Sequence, residues 1–256
     1  MNHMEGKVAA IFGIANQRSI AYGIAETLRE SGVKLALNYQ NERMGASMDK
    51  LASKLGDPWR KECDVTDEQA VIDFFAAVKE EFGGLDYVVH SVAFAKREEL
   101  GGEYVDTSWD GYALAQHVSA FSLLTLCKHA LPLMDGREGS IIAMSYYGAE
   151  KVVTNYNVMG VAKAALESSV RYLANDLGPK GVRVNALSAG PIRTLSASGV
   201  SDFVSLLDFV ASKAPLRRNV STQDVGRAAR FLLSEDSRGI TGQTIYVDNG
   251  FSIMGI

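Results

Sequence analysis

Three tyrosines and two lysines lie within residues 145–163, SYYGAEKVVTNYNVMGVAK. A tyrosine beside a lysine can act as a proton donor or anion stabiliser, because a phenol that ordinarily titrates at about pH 10 becomes useful once a nearby cation favours its ionised form. Two pairings are open, Tyr147 with Lys151 and Tyr156 with Lys163. The choice between them decides which chemistry the chain supports.

The local sequence favours the second pairing. Tyr147 directly follows an apolar run that reads as a strand, so YGAEK is predicted to be a loop leaving a sheet. NYNVMGVAKAALESSVRYLAND has the spacing of a helix. Seven positions at about 100° each make nearly two turns, so Tyr156 and Lys163 are expected on one helix face, with Lys163 supplying the cation. Either residue alone is better explained as an ordinary packed or solvated helix residue, and only the two together favour catalysis.

The elements that must position this pair recur as strand, helix, strand. Predicted strands are KVAAIF (7–12), VKLALNY (33–39), LDYVVH (85–90), GSIIAMS (139–145), GVRVNALS (181–188) and QTIYVD (243–248), with one more before residue 63. Helical patterns between them, such as SIAYGIAETLRESG, begin with Ser or Asp and end with Gly. We predict an α/β fold in which residues 1–256 form a single domain: a Rossmann-type, doubly wound parallel sheet with helices on both faces, which binds ligands at the strands' carboxyl ends.

A dinucleotide turn is predicted after the first strand. Gly13 stands alone until Gly23, and a single glycine is weak evidence for a dinucleotide turn. The context strengthens it, because the strand ends at Phe12 and a helix opens at Ser19 and Ile20. The N-terminus of that helix suits a pyrophosphate. Gly23 is expected where this helix packs closely on the sheet.

Residues after the second and later strands bear on cofactor choice. Gln40 stands where an acidic residue often holds a ribose; its amide can bond a 2′-hydroxyl and Glu42 would repel a 2′-phosphate, which favours NADH. Arg18 and Arg43 keep NADPH open, and Gln40 is also compatible with a solvated loop. Farther along, Asp64 and Val65 are expected to bracket an adenine, and Ser91 and Ala93 to let backbone approach the cofactor. Taken alone, Asp64 is more often a helix cap.

Composition excludes several function classes. A formal charge of −4 with interspersed signs favours neither nucleic acid nor anionic lipid. Two cysteines and no charged leader before an apolar core favour a reducing cytosol, and no apolar run is long enough to cross a bilayer. The four histidines lack metal-ligand spacing, and no G-x-S-x-G pattern indicates a hydrolase. His90 is expected to be a core or edge histidine with satisfied hydrogen bonds and not a catalyst, and His117 and His129 are expected to lie on a helix that packs against another subunit.

At this point the sequence resembles a known family. The short-chain dehydrogenase/reductases share this fold and a Tyr/Lys helix, but standard members separate the two residues by three positions. The six-residue gap between Tyr156 and Lys163, the stretched GIANQRSIAYGIA turn, HSVAFA and NALSAGPIRTLSASG are similar instead to the divergent branch of bacterial enoyl-acyl carrier protein reductases. The resemblance runs from about residue 5 to GQTIYVDNGF.

The resemblance implies reduction of the C2–C3 double bond of a trans-2-enoyl thioester with NADH, the closing step of fatty-acid elongation. It implies that Tyr156 stabilises the enolate oxygen, that Tyr146 and Ala95 border the thioester, and that Lys163 holds the cofactor ribose. Other cofactor contacts implied are Gly13, Ser19, Ile20, Gln40, Asp64, Val65, Ser91, Val92, Ile192 and Thr194. It further implies a cytoplasmic homotetramer, acyl carrier protein as partner, and inhibition by triclosan stacked on the nicotinamide.

The segment 191–220 is predicted to be a substrate lid, and a surface helical hairpin is equally compatible with it. Residues 197–212 contain Asp202 and Asp208 but no Lys or Arg, although an acidic carrier needs a basic surface. Docking is therefore expected at Lys213, Arg217 and Arg218, or to be weak. The apolar set Phe203, Leu206, Leu207 and Phe209 suits an acyl-chain wall or plain helix packing.

Two other functions compete with this one. A reductase of the same superfamily acting on a 3-keto thioester or small carbonyl is the nearer rival, and the six-residue gap argues against it. A dinucleotide sensor that binds NADH without catalysis is the other, and the intact Tyr156 and Lys163 pair argues against that.

Overall fold

A computed structural model describes residues 3–194 and 203–255. In this part of the chain, seven strands form one parallel sheet in the order β3-β2-β1-β4-β5-β6-β7. The strands are β1 (Val8–Phe12), β2 (Lys34–Tyr39), β3 (Trp59–Glu62), β4 (Tyr87–His90), β5 (Ser140–Ser145), β6 (Arg183–Ala189) and β7 (Thr244–Val247). The six quoted strands and the additional one before residue 63 are confirmed.

Helices alternate with the strands. They are α1 (Ile20–Glu30), α2 (Glu42–Lys54), α3 (Glu68–Phe82), α4 (Trp109–Gln116), α5 (Ser122–Ala130), α6 (Asn157–Leu177), α7 (Phe203–Lys213) and α8 (Thr222–Leu233). A π-helical turn, His117–Phe121, joins α4 to α5. The end signals read from the sequence operate at α3, where the Asp67 carboxylate accepts from the Gln69 and Ala70 N–H groups and Gly83 closes the helix at φ 73°.

Apolar residues cover both faces of the sheet, which is why the central strands are buried on either side. One cluster joins alternate strand residues such as Ala10, Val88 and Ile141 to helices α3, α5 and α6. The other joins the opposite strand face to α1, α2 and α8. The predicted doubly wound fold is confirmed. No helix among the described residues combines the length and hydropathy needed to span a bilayer.

The prediction for Gly23 was wrong. A β-carbon at Gly23 would lie 2.6 Å from the Thr222 β-carbon and 2.8 Å from its carbonyl oxygen, so the glycine lets α1 cross α8 closely and does not serve contact with the sheet. A β-carbon at Gly226 would lie 2.7 Å from the Gly23 carbonyl oxygen, and the two glycines share one crossing.

The strand order changes direction between β1 and β4, which makes a topological switch point beside β1. Open α/β sheets bind their ligands at such a point.

Candidate active site

A cleft of about 420 Å³ lies at the carboxyl ends of the central strands. Ten of the predicted site residues line it: Gly13, Ser19, Ile20, Ser91, Ala95, Tyr146, Tyr156, Lys163, Ile192 and Thr194. These residues come from β1, α1, β4, β5, α6 and β6 and the loops that follow them, so the fold joins segments that are far apart in sequence.

The turn after β1 is shaped by Gly13. Its φ of 105° is unfavourable for other residues, and a β-carbon there would collide with the Ser91 carbonyl, so the turn fits directly against the end of β4. Ser19 closes the loop, since its hydroxyl oxygen accepts from the N–H groups of Ala15 (3.1 Å) and Asn16 (3.0 Å). A glycine turn fitted against the end of β4 and followed by the N-terminus of an 11-residue helix is suited to a pyrophosphate, and these residues therefore fit a dinucleotide.

Four predicted cofactor residues do not line this cleft. The Gln40 side-chain amide donates to Asp64 at 3.0 Å at the neighbouring ends of β2 and β3. Burial raises the pKa of Asp64, but hydrogen bonds from Thr66 and Gln40 outweigh it and leave that pKa below its ordinary value. Val65 is buried in an apolar cluster and Val92 packs against the same cluster. Gln40 and Asp64 thus form a separate polar pair farther along the sheet edge.

Tyr156 and Lys163 both line the cleft, although only one lies within the helix. Helix α6 begins at Asn157, and Tyr156 is its N-cap residue at φ −124° and ψ 9°. The shared helix face was therefore predicted with the wrong position for Tyr156. Lys163 is 5% exposed, and its Nζ donates to the Met144 carbonyl at the end of β5 over 2.7 Å.

The sequence predicts that Lys163 favours the ionised form of Tyr156, whereas the structure favours its neutral form. Burial, and then the adjacent Tyr146, raise the pKa of Tyr156 above its ordinary value. The rings of the two tyrosines meet edge to face with centroids 5.0 Å apart, and burial raises the pKa of Tyr146 to about 12. Burial lowers the pKa of Lys163 to about 8 against the opposing charge of Glu167. Tyr156 is therefore a neutral phenol at neutral pH, suited to donate a hydrogen bond.

Two glycines hold the Tyr156 ring in place, and sequence analysis missed them. Gly148 lies in the 3₁₀ turn Tyr147–Ala149, and a β-carbon there would lie 2.7 Å from the Tyr156 Cδ1 atom. A β-carbon at Gly160 would lie 2.8 Å from the Gly148 carbonyl oxygen. Both glycines lie within residues 145–163, but only the packing of the folded chain shows which atoms they contact.

Tyr147, the tyrosine of the disfavoured pairing with Lys151, lies outside the cleft. Tyr147 packs edge to face on Tyr246 and Phe251, with centroid distances of 6.4 and 6.0 Å, and is not part of the cleft wall. The structure brings together Tyr156 and Lys163, and it leaves Tyr147 on the other side of the turn.

Part of the apolar wall of the cleft was also missed. Leu100 and Met159 form a small cluster with Ala93, Ala95 and Tyr156, and this cluster faces the cleft. Arg97, Val153, Phe203 and Leu206 complete that side. The sequence analysis named Phe203 and Leu206 as a possible acyl-chain wall, but no sequence signal links them to the other residues, because these lie on loops and helices that meet only in the fold.

The segment 191–220 contributes part of this wall. Phe203 and Leu206 line the cleft, whereas Leu207 and Val210 are buried against the body of the protein. Asp202, with residues 195–202, lies outside the described residues. Arg218 is paired with Asp224 at 2.8 Å, which leaves Lys213 and Arg217 as the predicted docking cations without an ion pair in the described chain.

His90 is buried beneath the cleft. Its Nε2 meets the Ser122 hydroxyl at 2.8 Å, and because that hydroxyl donates to the Val118 carbonyl at 2.7 Å, Nε2 carries the proton. Nδ1 has no hydrogen-bond partner among the described residues, so the expected satisfied histidine is only half satisfied. Burial and then Lys163 lower the pKa of His90 to about 3, so it is neutral at physiological pH. Within residues 3–194 and 203–255, no cluster of His, Cys, Asp and Glu could hold a metal ion.

Comparison with known proteins agrees with this geometry. Residues 13–252 match the family model described as enoyl-(acyl carrier protein) reductase. The enoyl-[acyl-carrier-protein] reductase [NADH] of Bacillus cereus is 49% identical, with 100% of both chains covered. A solved structure of that enzyme with NADP+ and indole naphthyridinone has a TM-score of 0.97 at 49% identity over 100% of both chains.

A second solved structure, the reductase of Anaplasma phagocytophilum in complex with NAD, has a TM-score of 0.95 at 50% identity and covers 99% of this chain and 96% of that one. Family model, sequence identity and structural superposition agree over nearly the whole length. The chain belongs to the enoyl-(acyl carrier protein) reductase family.

Proposed function

We infer that this protein is an NADH-dependent enoyl-acyl carrier protein reductase, which reduces the C2–C3 double bond of trans-2-enoyl thioesters in the last step of the fatty-acid elongation cycle. The observation that carries the inference is the joint presence of Tyr146, Tyr156 and Lys163 on one cleft whose other end is a dinucleotide turn. The full-length family match supports the same reaction.

The cofactor is proposed to lie along the carboxyl edge of the sheet. Gly13 and the N-terminus of α1 would hold the pyrophosphate, Gln40 and Asp64 the adenosine end, and Lys163 the nicotinamide ribose. When bound, NADH supplies the hydride that C3 of the enoyl chain receives. Ser91, Ile192 and Thr194 line the cleft between these ends and are proposed as further contacts.

Tyr156 is proposed to donate a hydrogen bond to the thioester oxygen as negative charge develops there. Its raised pKa suits this role, because a neutral phenol keeps its proton while a preformed donor in a water-poor site stabilises an enolate strongly. Tyr146 supports the Tyr156 ring from the side, and Ala95 leaves room for the thioester. The wall of Leu100, Met159, Phe203 and Leu206 suits an acyl chain.

The preference for NADH over NADPH rests on Gln40. Its amide is neutral and exposed and already bonds Asp64, so a carboxylate stands near any 2′-substituent. The relatives bear on this directly, since the name of the Bacillus cereus enzyme specifies NADH while its solved complex contains NADP+. NADH is therefore proposed as the better of two usable cofactors.

The carrier protein is proposed to dock beside the cleft mouth, where Lys213 and Arg217 supply positive charge. Described residues of α7 from Phe203 to Ser212 include Asp208 and no cation, which supports weak carrier binding. The lid function of 191–220 remains a prediction, as does inhibition by triclosan.

A homotetramer is proposed as the working form. Large apolar side chains are exposed on neighbouring helices of one surface: Trp109 (76%), Phe121 (55%), Leu124 (37%) and Tyr172 (74%). The helices that carry them contact one another, and a contiguous exposed apolar patch ordinarily marks an interface. A cytoplasmic location is proposed as well, supported by Cys63 and Cys127, which are buried free thiols.

The test follows NADH and NADPH oxidation in parallel with trans-2-enoyl thioesters of acyl carrier protein and coenzyme A, for the wild type and Tyr156→Phe. We expect faster oxidation with NADH and a fall of about 100-fold or more in turnover for the variant, the usual cost of losing one oxyanion donor. Reduction of a 3-keto thioester with no consumption of enoyl substrate would instead favour the rival reductase. NADH binding without turnover, and no effect of Tyr156→Phe, would favour a sensor.

A further inference from the structure

Glu167 is a buried acid beside the cleft that the mechanism above does not use. Glu167 lies on α6 one turn beyond Lys163 and is 6% exposed. The Ser145 hydroxyl donates a short hydrogen bond to its Oε1 atom. Ser145 is itself 5% exposed, ends β5 and lines the cleft. A carboxylate buried this deeply is costly unless a cation or donors stabilise it.

Lys163 is the buried cation on the same helix face. Its Nζ bonds the Met144 carbonyl, a neutral acceptor, so this contact fixes its position without balancing its charge. Residues four positions apart in a helix are neighbours, which brings Glu167 alongside Lys163. Among the described residues, Glu167 is also the one group whose charge raises the pKa of Lys163 against the effect of burial.

Other charged or titratable groups around this pair do not replace Glu167. His90 on β4 is neutral, and burial and nearby carboxylates raise the pKa of Tyr246 on β7. Burial raises the pKa of Glu167, the hydrogen bond from Ser145 opposes that rise, and Glu150 and Arg171 act on it with opposite signs. Tyr246 is paired through Ser188 with Ser145 in the sheet register, and the Ser188 hydroxyl is buried without a hydrogen-bond partner among the described residues. The surroundings of the carboxylate are thus polar but carry no second buried cation.

We propose that Glu167 is a positioning residue for Lys163: its carboxylate, fixed by Ser145, keeps the lysine ammonium charged and anchored to the end of β5, ready to hold the cofactor ribose. The proposal rests on the proposed function for its cofactor, and it is independent of the substrate reduced.

The experiment measures NADH affinity by nicotinamide fluorescence from about pH 6 to about pH 10, a range that spans the titration of a buried lysine. Wild-type affinity is expected to fall as the pH rises through about 8, where Lys163 loses its proton. Glu167→Gln keeps the shape and the acceptor for Ser145 but removes the charge. It is expected to move that midpoint down by about one pH unit, the effect typical of losing one nearby opposite charge.

Two matched variants separate charge from structure. Glu167→Asp retains the charge and is expected to return the midpoint toward that of the wild type. Asp176→Asn removes an exposed acid from the far end of α6 and is expected to leave it unchanged. A purely structural role for Glu167 would alter affinity equally at every pH.

The proposal is overturned if folded Glu167→Gln, checked by circular dichroism, titrates like the wild type, or if the wild type does not bind NADH. If Glu167→Gln does not fold, Ser145→Ala takes its place: loss of the donor raises the pKa of the carboxylate and is expected to lower the Lys163 midpoint, and an unchanged midpoint would overturn the proposal. NADH binding with no enoyl reduction would overturn the proposed function alone.

Discussion

Adding one methyl group at Gly148 should misplace the phenol of Tyr156, the proposed catalytic group. The β-carbon of Gly148→Ala would lie 2.7 Å from Cδ1 and 3.0 Å from Cε1 of Tyr156, and 3.3 Å from Cδ1 of Tyr146. Carbon atoms pack at about 3.5–4.0 Å, so the Tyr156 ring must move by roughly 1 Å. A displacement of this size in a reacting group can lower turnover by about 100-fold. The φ of Gly148 is not positive, so alanine adds crowding without backbone strain.

The assay compares kcat and KM for enoyl-thioester reduction with the thermal midpoint of unfolding. We expect Gly148→Ala to lower kcat by about 100-fold and to cost about 1–3 kcal/mol of stability, the range for overpacking. Gly45→Ala is the matched control, because its β-carbon would meet the Tyr39 ring at an ordinary 3.5 Å. It should leave kcat unchanged.

A double-mutant cycle decides whether Gly148 acts through Tyr156. Once the Tyr156 hydroxyl has been removed by Tyr156→Phe, its misplacement no longer matters, so adding Gly148→Ala should cost little further turnover. Losses that multiply in the double variant would refute the reasoning, as would a folded Gly148→Ala enzyme with wild-type kcat.

Four further outcomes are expected. Tyr147→Phe should leave turnover within about twofold of the wild type, because Tyr147 packs on Tyr246 and Phe251 away from the cleft; a loss like that of Tyr156→Phe would reopen the pairing with Lys151. Gln40→Arg should raise kcat/KM for NADPH relative to NADH by about tenfold or more, as a guanidinium gains a charge-assisted bond to the 2′-phosphate, and an unchanged ratio would remove Gln40 from cofactor choice. Asp224→Asn should cost about 1–2 kcal/mol at pH 7 in urea unfolding, since Arg218 and Ser221 lower the pKa of Asp224 to about 2. Its ordinary pKa is 3.8, so this stabilisation is complete above that pH and is lost as the pH falls through about 2; a difference that persists in acid would contradict the assignment. Phe121→Glu should reduce the proposed tetramer to smaller species in light scattering, and an unchanged mass would place the interface elsewhere.

Local pattern determined most of the fold. Apolar runs separated by about the length of one helix specify buried parallel strands. Asp67 begins α3 and Gly83 ends it where the sequence indicates, because capping signals act within a few residues of the helix end. The same locality separated Tyr156 from Tyr147: one precedes a helical pattern and the other leaves a strand. The Gly13 turn and Ser19 were also readable, since a strand end, a glycine and a helix start are adjacent in the chain.

Tertiary structure decided what depends on burial and on distant partners. Gly23 looked like a contact with the sheet, but it faces Thr222 on α8, a neighbour that no nearby residue indicates. The pKa of Tyr156 rises when the sequence suggested the reverse, because desolvation by the folded chain exceeds any effect of Lys163. The sequence likewise did not indicate the roles of Gly148 and Gly160 or the hydrogen bond between Ser145 and Glu167. Each depends on a contact with an atom that only tertiary packing brings close. Sequence periodicity specifies which elements form, whereas the electrostatics of the cleft arise from how those elements exclude water from its walls.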